Sequence, residues 1–453
     1  MQSRARQVVE AARSNVPEGT FSVGAGLLVA SFAAWGYQIM AERKLTDPGY
    51  NAVNSLWVLA FVVTPGFFQP LEQEVSRAVA ARRERQLGGG PVIWKAARLG
   101  AALACITGII VLSVFTFIPS TVSQLFKPQV SSANHALLIG SLVVSLITYA
   151  TAYLVRGALA GNGRFRNYGL MHGSEGAVRL LAVAVIVVSG HASPGAFGLA
   201  LVLPPIAAVL ISLAGQHGLA NPGPDASWSE LSSALAWLLA SSVMAQVLSY
   251  APVFAAQIFV PGGSRSQKEL AGFVTAMFLA RVPLLMFQAV QAALLPKLAG
   301  SAAAGRYDEF RAGLVRLLGL VLGIAAAGVI GALLLGQKIG TFVFKEKWTL
   351  SNRELALLAA GAGAYIVAFT LAQGLIALKA YSRLTLGWFV GMVGFVVVLP
   401  FGSDIFNRAQ IAFLVSSGLA AVTIVTLLFS AMRTHSATID DLIDAVVHEP
   451  LEF

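Results

Sequence analysis

The chain has 453 residues, of which 57% are hydrophobic and only 11% are charged, and its mean hydropathy is +0.74. A soluble domain carries roughly 25% charged residues, so no aqueous fold of this length could bury so much apolar surface. In a soluble protein the formal net charge of +10 would suggest that the protein binds nucleic acid. Here we interpret it as a topology signal and expect no nucleic-acid partner.

The apolar runs predict about twelve membrane-spanning helices, since one span needs roughly 20 predominantly apolar residues. In chain order the runs are 20–41, 51–71, 96–118, 135–159, 167–189 and 194–214, then 231–259, 270–296, 311–335, 354–378, 384–400 and 409–431. Six helices per half is an even number, so both halves enter the membrane in the same sense. The predicted fold class is an all-α polytopic membrane protein with two pseudo-symmetric six-helix lobes around a central cleft.

Polar segments divide the chain into a cytoplasmic N-terminal segment (1–19), an N-lobe (20–214), an inter-lobe linker (215–230), a C-lobe (231–432) and an acidic C-terminal tail (433–453). The first apolar run is long enough to span, so we interpret it as a retained helix rather than a cleaved signal. In the tail, apolar residues at helical spacing lie opposite Asp440, Asp441 and Asp444. This pattern predicts a short amphipathic helix.

The distribution of basic residues predicts the orientation. If the N-terminus is cytoplasmic, 19 of the 31 Lys and Arg residues lie in inside segments, including the run from Arg82 to Arg85, and 10 lie in outside loops. We therefore expect a multi-pass protein of the plasma (inner) membrane with both termini in the cytoplasm. The single cysteine, Cys105, allows no intramolecular disulfide. We expect no metal site and no cofactor.

A diverged repeat relates the two halves at an offset of 217 to 219 residues. Five matches occur in order along the chain: Gln38-Ile39 with Gln257-Ile258, Phe68-Gln69 with Phe287-Gln288, Leu99-Gly100 with Leu318-Gly319, Phe126-Lys127 with Phe344-Lys345, and Arg156-Gly157 with Gln373-Gly374. Two similar bundles that face each other across a cleft are typical of transporters that work by alternating access.

Few ionisable residues lie inside the predicted spans, where each needs a partner or a wet cavity. Glu175 precedes Arg179 by four residues in the fifth span, an arrangement that suits either a structural ion pair or a coupling site. Arg281 lies about ten residues, or roughly 15 Å, from the outer end of the eighth span. It has no acid within reach on its own helix, so it meets a partner helix, a cavity or an anion.

Amide side chains recur at equivalent places of the two halves, namely Gln38, Gln69, Gln257, Gln288 and Gln291. Such amides suit the hydroxyl groups of a sugar, and hydrogen bonds between helices explain them equally well. Glu72 and Arg77 lie at the cytoplasmic end of the second span. We interpret these two as a cytoplasmic gate or as interfacial anchors.

These residues resemble a known family, the polysaccharide flippases of the multidrug/oligosaccharidyl-lipid/polysaccharide exporter superfamily, of the actinobacterial type. The resemblance covers nearly the whole chain. It rests on Ala41-Glu42-Arg43-Lys44-Leu45-Thr46, Pro70-Leu71-Glu72-Gln73-Glu74 with Arg77, Arg156-Gly157 through Gly163-Arg164-Phe165, Glu175 with Arg179, and Arg281-Val282-Pro283 through Leu294-Leu295-Pro296.

The resemblance implies a flippase that carries an undecaprenyl-pyrophosphate-linked oligosaccharide from the inner to the outer leaflet for assembly of cell-surface polysaccharide. Its partners would be that lipid-linked glycan, membrane lipids, and a polysaccharide polymerase or ligase, and the transport unit would be a monomer. Flippases of peptidoglycan precursors often carry several cleft arginines in the first lobe. Here the first span has none before Arg43, which argues against that substrate.

Two other classes remain open. An ion-coupled multidrug or metabolite antiporter of the same superfamily would share the helix count, and Glu175 is its deep acidic candidate. A membrane glycosyltransferase or polymerase needs a sizeable outer loop with carboxylates. The segment 120–134 has no acid and the segment 336–353 has only Glu346, so we expect no enzymatic activity.

Overall fold

A computed structural model describes residues 20–231, 235–260, 263–281, 306–344 and 348–448. These residues form thirteen α-helices, one short 3-10 helix and no strand. Eleven of the helices are long and apolar enough to cross a membrane. A twelfth predicted span, 270–296, begins within a described helix, and its residues after 281 lie outside the described part of the chain.

The first half contains α1 (Thr20–Lys44), α2 (Asp47–Glu84), α3 (Gly90–Phe117), the short α4 (Pro119–Phe126), α5 (Ser132–Gly161), α6 (Phe165–Val188) and α7 (Pro194–Leu213). The 3-10 turn Trp228–Leu231 follows in the linker. The second half contains α8 (Leu235–Phe259), α9 (Ser264–Ala280), α10 (Tyr307–Phe344), α11 (Asn352–Ala377), α12 (Tyr381–Val398) and α13 (Ile405–His448).

The two halves repeat the same packing. In the first, α1 packs on α6, α5 packs on α3 and α7, and α6 packs on α7. In the second, α8 packs on α12, α11 packs on α10 and α13, and α12 packs on α13. These four pairs of helices correspond between the halves, as expected for two pseudo-symmetric lobes.

Local sequence explains where the helices begin. The side chains of Thr46, Ser131 and Ser193 accept hydrogen bonds from backbone amides in the first turns of α2, α5 and α7, and such caps satisfy amides that the helix itself leaves free. Ser351 and Glu354 form a capping box at the start of α11.

Several elements are longer than the apolar runs that predicted them. Helix α2 continues through Pro65 and Pro70 to Glu84, beyond the predicted end at 71, because its last turns pack on the linker rather than on lipid. Helix α13 runs without a break to His448, so the tail continues the last span as a helix. The side chains of Asp440, Asp441 and Asp444 lie outside the described part.

Glycines bring α1 and α6 into close contact. A Cβ placed on Gly26 would lie 2.0 Å from the backbone oxygen of Gly169, and one on Gly169 would lie 2.2 Å from the backbone oxygen of Ser22. Small residues allow this approach, which is typical of membrane helices. The tight packing fixes the position of α6, which carries Glu175 and Arg179.

Helix α2 joins the lobes. It packs on α5 within the N-lobe and on α8 and α9 of the C-lobe. Val58 and Val62 of α2 belong to the apolar core of the C-lobe, and the backbone oxygen of Pro65 accepts from the Ser242 hydroxyl on α8 at 3.2 Å. The surface between the lobes is therefore built largely on α2, α8 and α9.

Candidate functional site

Arg281 follows the last residue of α9 and is buried, with 7% of the residue exposed. Its Nη2 donates to both the backbone oxygen and the Oγ of Ser249 on α8. The guanidinium lies 3.7 Å from the centroid of the Tyr250 ring, which is a cation–π contact. No carboxylate among the described residues forms an ion pair with Arg281.

Neighbours of Arg281 place it beside the surface between the lobes. Tyr250 and Phe278, the latter one turn before Arg281 on α9, each pack against the apolar cores of both lobes. On the C-lobe side the Tyr365 hydroxyl donates to the backbone oxygen of Ala245 at 3.1 Å. Arg281 is thus a buried cation that lies among aromatic and hydroxyl-bearing side chains next to this surface.

The predicted amide set is only partly described. Gln38 on α1 and Gln257 on α8 are 3% and 2% exposed, and among the described residues neither the amide oxygen nor the amide nitrogen of either side chain has a hydrogen-bond partner. Each unsatisfied buried polar group costs about 1 to 3 kcal/mol. Gln69 on α2 is half-buried. Gln288 and Gln291 lie outside the described residues.

Glu175 lies at the centre of a buried network in the N-lobe. Its two carboxylate oxygens accept from Arg156 Nη2 and Arg179 Nη2, each at 2.6 Å, and the Tyr149 hydroxyl lies 3.2 Å from Oε1. Arg156 lies inside the predicted span 135–159, so its place in the sequence already indicated that it belongs to the membrane-spanning helix.

An aromatic contact connects this network to the C-lobe. The guanidinium of Arg179 lies 5.8 Å from the centroids of both Trp57 and Phe61 on α2. The Trp57 ring in turn meets Phe278 on α9 edge to face, with centroids 5.9 Å apart. The charge network and the helix that precedes Arg281 thus contact the same residue, Trp57, whose ring stacks on Phe61.

Glu72 and Arg77 contact different partners. Glu72 accepts from the Tyr168 hydroxyl on α6 at 2.8 Å. Arg77 pairs with Glu74 at 2.8 Å and donates to the backbone oxygen of Glu230 in the linker at 2.6 Å. Glu72 therefore contacts the interior of the N-lobe, whereas Arg77 contacts the linker.

Arg82 anchors the linker, a role that the sequence analysis missed when it treated the run from Arg82 to Arg85 as a topology signal. The residue is 4% exposed. Its Nε and Nη2 bond the carboxylate of Glu230 at 2.7 and 3.1 Å, and the guanidinium also donates to the backbone oxygens of Gly88, Pro224 and Asp225. The hydrogen bonds from Arg82 hold the pKa of Glu230 below its ordinary value.

Comparisons with known proteins give relatives of unknown function. No family model matches the chain. A protein of Mycobacterium tuberculosis described as uncharacterized is 24% identical over 402 residues, which cover 86% of this chain and 88% of the relative. A second uncharacterized protein of the same organism is 24% identical over 433 residues, covering 91% of this chain and 94% of the relative.

Solved structures share the fold. A variant of the Vibrio cholerae MATE transporter VcmN superposes with a TM-score of 0.70 at 13% identity, covering 92% of this chain and 96% of that one. The outward-facing form of a multidrug resistance MATE family transporter of the MOP superfamily gives 0.68 at 13% identity and the same 92% of this chain, with 95% of its own. The inward-facing form gives 0.67 at 13% identity, covering 91% and 95%. The chain therefore has the two-lobed fold of these transporters.

Proposed function

We propose that this protein is a transporter that works by alternating access and carries an undecaprenyl-pyrophosphate-linked oligosaccharide from the inner to the outer leaflet for assembly of cell-surface polysaccharide. The observation that carries the proposal is Arg281, a buried guanidinium beside the inter-lobe surface that no described carboxylate neutralises. A diphosphate in the cleft supplies the missing charge and accepts paired hydrogen bonds from a guanidinium.

The repeat supports a functional role for Arg281. Its counterpart at an offset of 219 is Val62, which is 6% exposed and packs in an apolar core. The shared fold therefore does not demand a charge at this position. Because an arginine deep in a span is costly, its presence in one lobe alone favours a role that the other lobe does not share.

The unpartnered amides of Gln38 and Gln257 support a carbohydrate cargo. A sugar hydroxyl both donates and accepts, so it can satisfy an amide oxygen and an amide nitrogen together. These two glutamines occupy matching positions of the repeat. In this proposal they contact the glycan when the lobes rearrange, while the polyprenyl chain stays in lipid.

Deletion of the gene tests the proposal. A lipid-linked glycan should accumulate on the cytoplasmic side of the membrane, and its extraction and mass analysis would identify it. Resistance or sensitivity to drugs without any such intermediate would instead support the ion-coupled antiporter. The solved neighbours described as multidrug resistance transporters favour that second candidate. Glu175, its acidic candidate, is already paired with two arginines.

Complementation of the deletion tests Arg281 itself. Arg281→Lys should lower export by about tenfold, because one point charge replaces a bidentate donor, and Arg281→Ala should lower it further. Both variants should reach the membrane in normal amounts. Arg311→Ala, which removes an exposed arginine of α10, is the matched control. Normal export by Arg281→Ala would contradict the assignment.

The proposal extends to partners and assembly. The glycan delivered to the outer leaflet must be polymerised or transferred, so a polysaccharide polymerase or ligase is the expected neighbour. Each lobe pair encloses its own inter-lobe surface, so the transport unit in this proposal is a single chain.

A further inference from the structure

The lobes are tied together at the end of the bundle that carries the α1–α2 turn, which we call the outer end because the charge distribution places it outside. Asn51 Nδ2 on α2 donates to Gln267 Oε1 at 2.9 Å and to the Gln267 backbone oxygen at 3.1 Å on α9. The hydroxyls of Tyr50 and Thr275 lie 3.1 Å apart. All four residues are buried.

A third contact crosses the lobes at the same end. Lys127, which follows α4, donates from Nζ to the backbone oxygens of Gln124 at 2.7 Å and of Gln257 at 3.3 Å. Gln257 lies in the last turn of α8, where backbone oxygens have no partner within the helix. A cation of the N-lobe therefore caps a helix of the C-lobe.

Lys127 makes this contact although its side chain is buried and its backbone conformation is unfavourable. It is 3% exposed and has a backbone φ of +63°, a region that non-glycine residues rarely adopt. Burial lowers its pKa to about 8. The titratable side chain that contacts it is His135 on α5, whose Nε2 lies 3.0 Å from the Lys127 backbone oxygen, and no described carboxylate pairs with its ammonium group. Conformational strain of this kind occurs often at active sites, ligand clamps and switch regions.

The composition of these contacts differs from the rest of the surface between the lobes. Deeper along α2, Val58 and Val62 pack in an apolar core with residues of α8 and α9. At the outer end the contacts are hydrogen bonds between amides, hydroxyls and an ammonium group, and water can replace each of these when the groups separate. Such contacts can open and close repeatedly at a lower cost than a purely apolar contact, although Tyr50 also packs in an apolar cluster with Ala271 of α9.

We propose that the contacts Asn51–Gln267, Tyr50–Thr275 and Lys127–Gln257, which we name the outer seal, form the gate of the outer end, closed in the state described here and opened together when the path turns outward. The inference rests on the proposed transport function. The experiment below measures the gate without any substrate, so its failure is distinguishable from failure of the proposed cargo.

Accessibility of a reporter cysteine tests the gate. In a Cys105→Ser background, Asn54→Cys places a thiol one helical turn deeper than Asn51, at a residue with 0% exposure. A membrane-impermeant maleimide applied from outside should label it slowly. Adding Asn51→Ala and Gln267→Ala should raise the labelling rate about tenfold, the change in open population expected for the loss of two net hydrogen bonds.

The control is Asn352→Ala, which removes an amide whose Oδ1 accepts from the Gln337 backbone within the C-lobe at 2.6 Å. If the double variant labels no faster than this control, the contacts do not form a gate. If labelling rises only in inverted vesicles, the seal lies at the inner end and the assignment is wrong.

A disulfide provides a second test, in which a covalent bond replaces the hydrogen bonds that the alanine variants remove. Asn51→Cys with Gln267→Cys in the same background should cross-link under mild oxidation, because the two side chains are in contact. Asn51→Cys paired with Gln337→Cys, a residue of α10 in the C-lobe, is the negative control. Failure of the first pair to cross-link in membranes would overturn the proposal.

Discussion

At the scale of single residues, the N-lobe network around Glu175 shows that a single carboxylate inside the membrane needs several hydrogen-bonding and charged partners. Two arginines and a tyrosine contact this one carboxylate. The i,i+4 spacing predicted the pair of Glu175 with Arg179. The contact with Arg156 could not be predicted in the same way, because it joins α5 to α6 and depends on how these two helices pack.

Removing the carboxylate should therefore be far more damaging than removing one arginine. Glu175→Gln leaves two buried guanidinium groups without a counter-charge and should lower the free energy of unfolding by about 3 to 5 kcal/mol. Arg156→Gln should cost less, because Arg179 still pairs with Glu175. Thermal unfolding in detergent micelles measures both effects.

Glu84→Gln is the control for this comparison, because Glu84 is exposed and its nearest cation, Arg83, is 3.8 Å away. Equal melting temperatures for Glu175→Gln and this control would show that the network contributes nothing to stability. The double variant Glu175→Gln with Arg179→Gln should recover part of the loss, since one of the two uncompensated charges is then removed.

At the scale of elements, apolar runs predicted the existence and order of the spans, because the bilayer fixes both their length and their composition. Hydropathy could not predict that α2 continues to Glu84 or that the linker is bound to the N-lobe. Those features depend on Arg82, whose burial comes from tertiary contacts with Glu230 and three backbone oxygens. A charged run appears the same in sequence whether it faces water or a folded linker.

The bond between Arg82 and Glu230 predicts how attachment of the linker depends on pH. Since the pKa of Glu230 is lowered in the folded protein, its contribution is complete above the ordinary value of 4.5 and is lost as the pH falls through the lowered pKa. Amide hydrogen exchange of residues 215–231, corrected for intrinsic rates, should accelerate between about pH 5 and 3. Glu230→Gln should give fast exchange that does not change over this range.

Glu84→Gln again provides the comparison, since it removes a nearby carboxylate that does not contact the linker. Its exchange profile should follow that of the unmodified protein. If the linker amides of the unmodified protein and of Glu230→Gln exchange equally fast at pH 7, Arg82 is not the anchor.

At the scale of the whole molecule, the contacts between loops establish which segments share an end. Gly90 N donates to the Asn221 oxygen, and Arg164 Nη1 donates to Gln216 Oε1, so the basic turns after α2 and α5 lie beside the linker. At the other end Asn134 accepts from Gly195 N. The alternation of loops expected from the sequence agrees with these contacts, and from the excess of basic residues we propose that the end beside the linker faces the cytoplasm.

Cysteine labelling should confirm that orientation. Lys127 is a poor reporter because it is buried, so the outer probe is Lys44→Cys, at an exposed position, and the inner probe is Arg83→Cys, whose native side chain is 49% exposed. In a Cys105→Ser background, an impermeant maleimide applied to intact cells should label position 44 and not position 83. Inverted vesicles, which expose the cytoplasmic face to the reagent, should give the opposite result. This expectation follows from the charge asymmetry that sets topology. Labelling of position 83 from outside would reverse the orientation and place the outer seal in the cytoplasm.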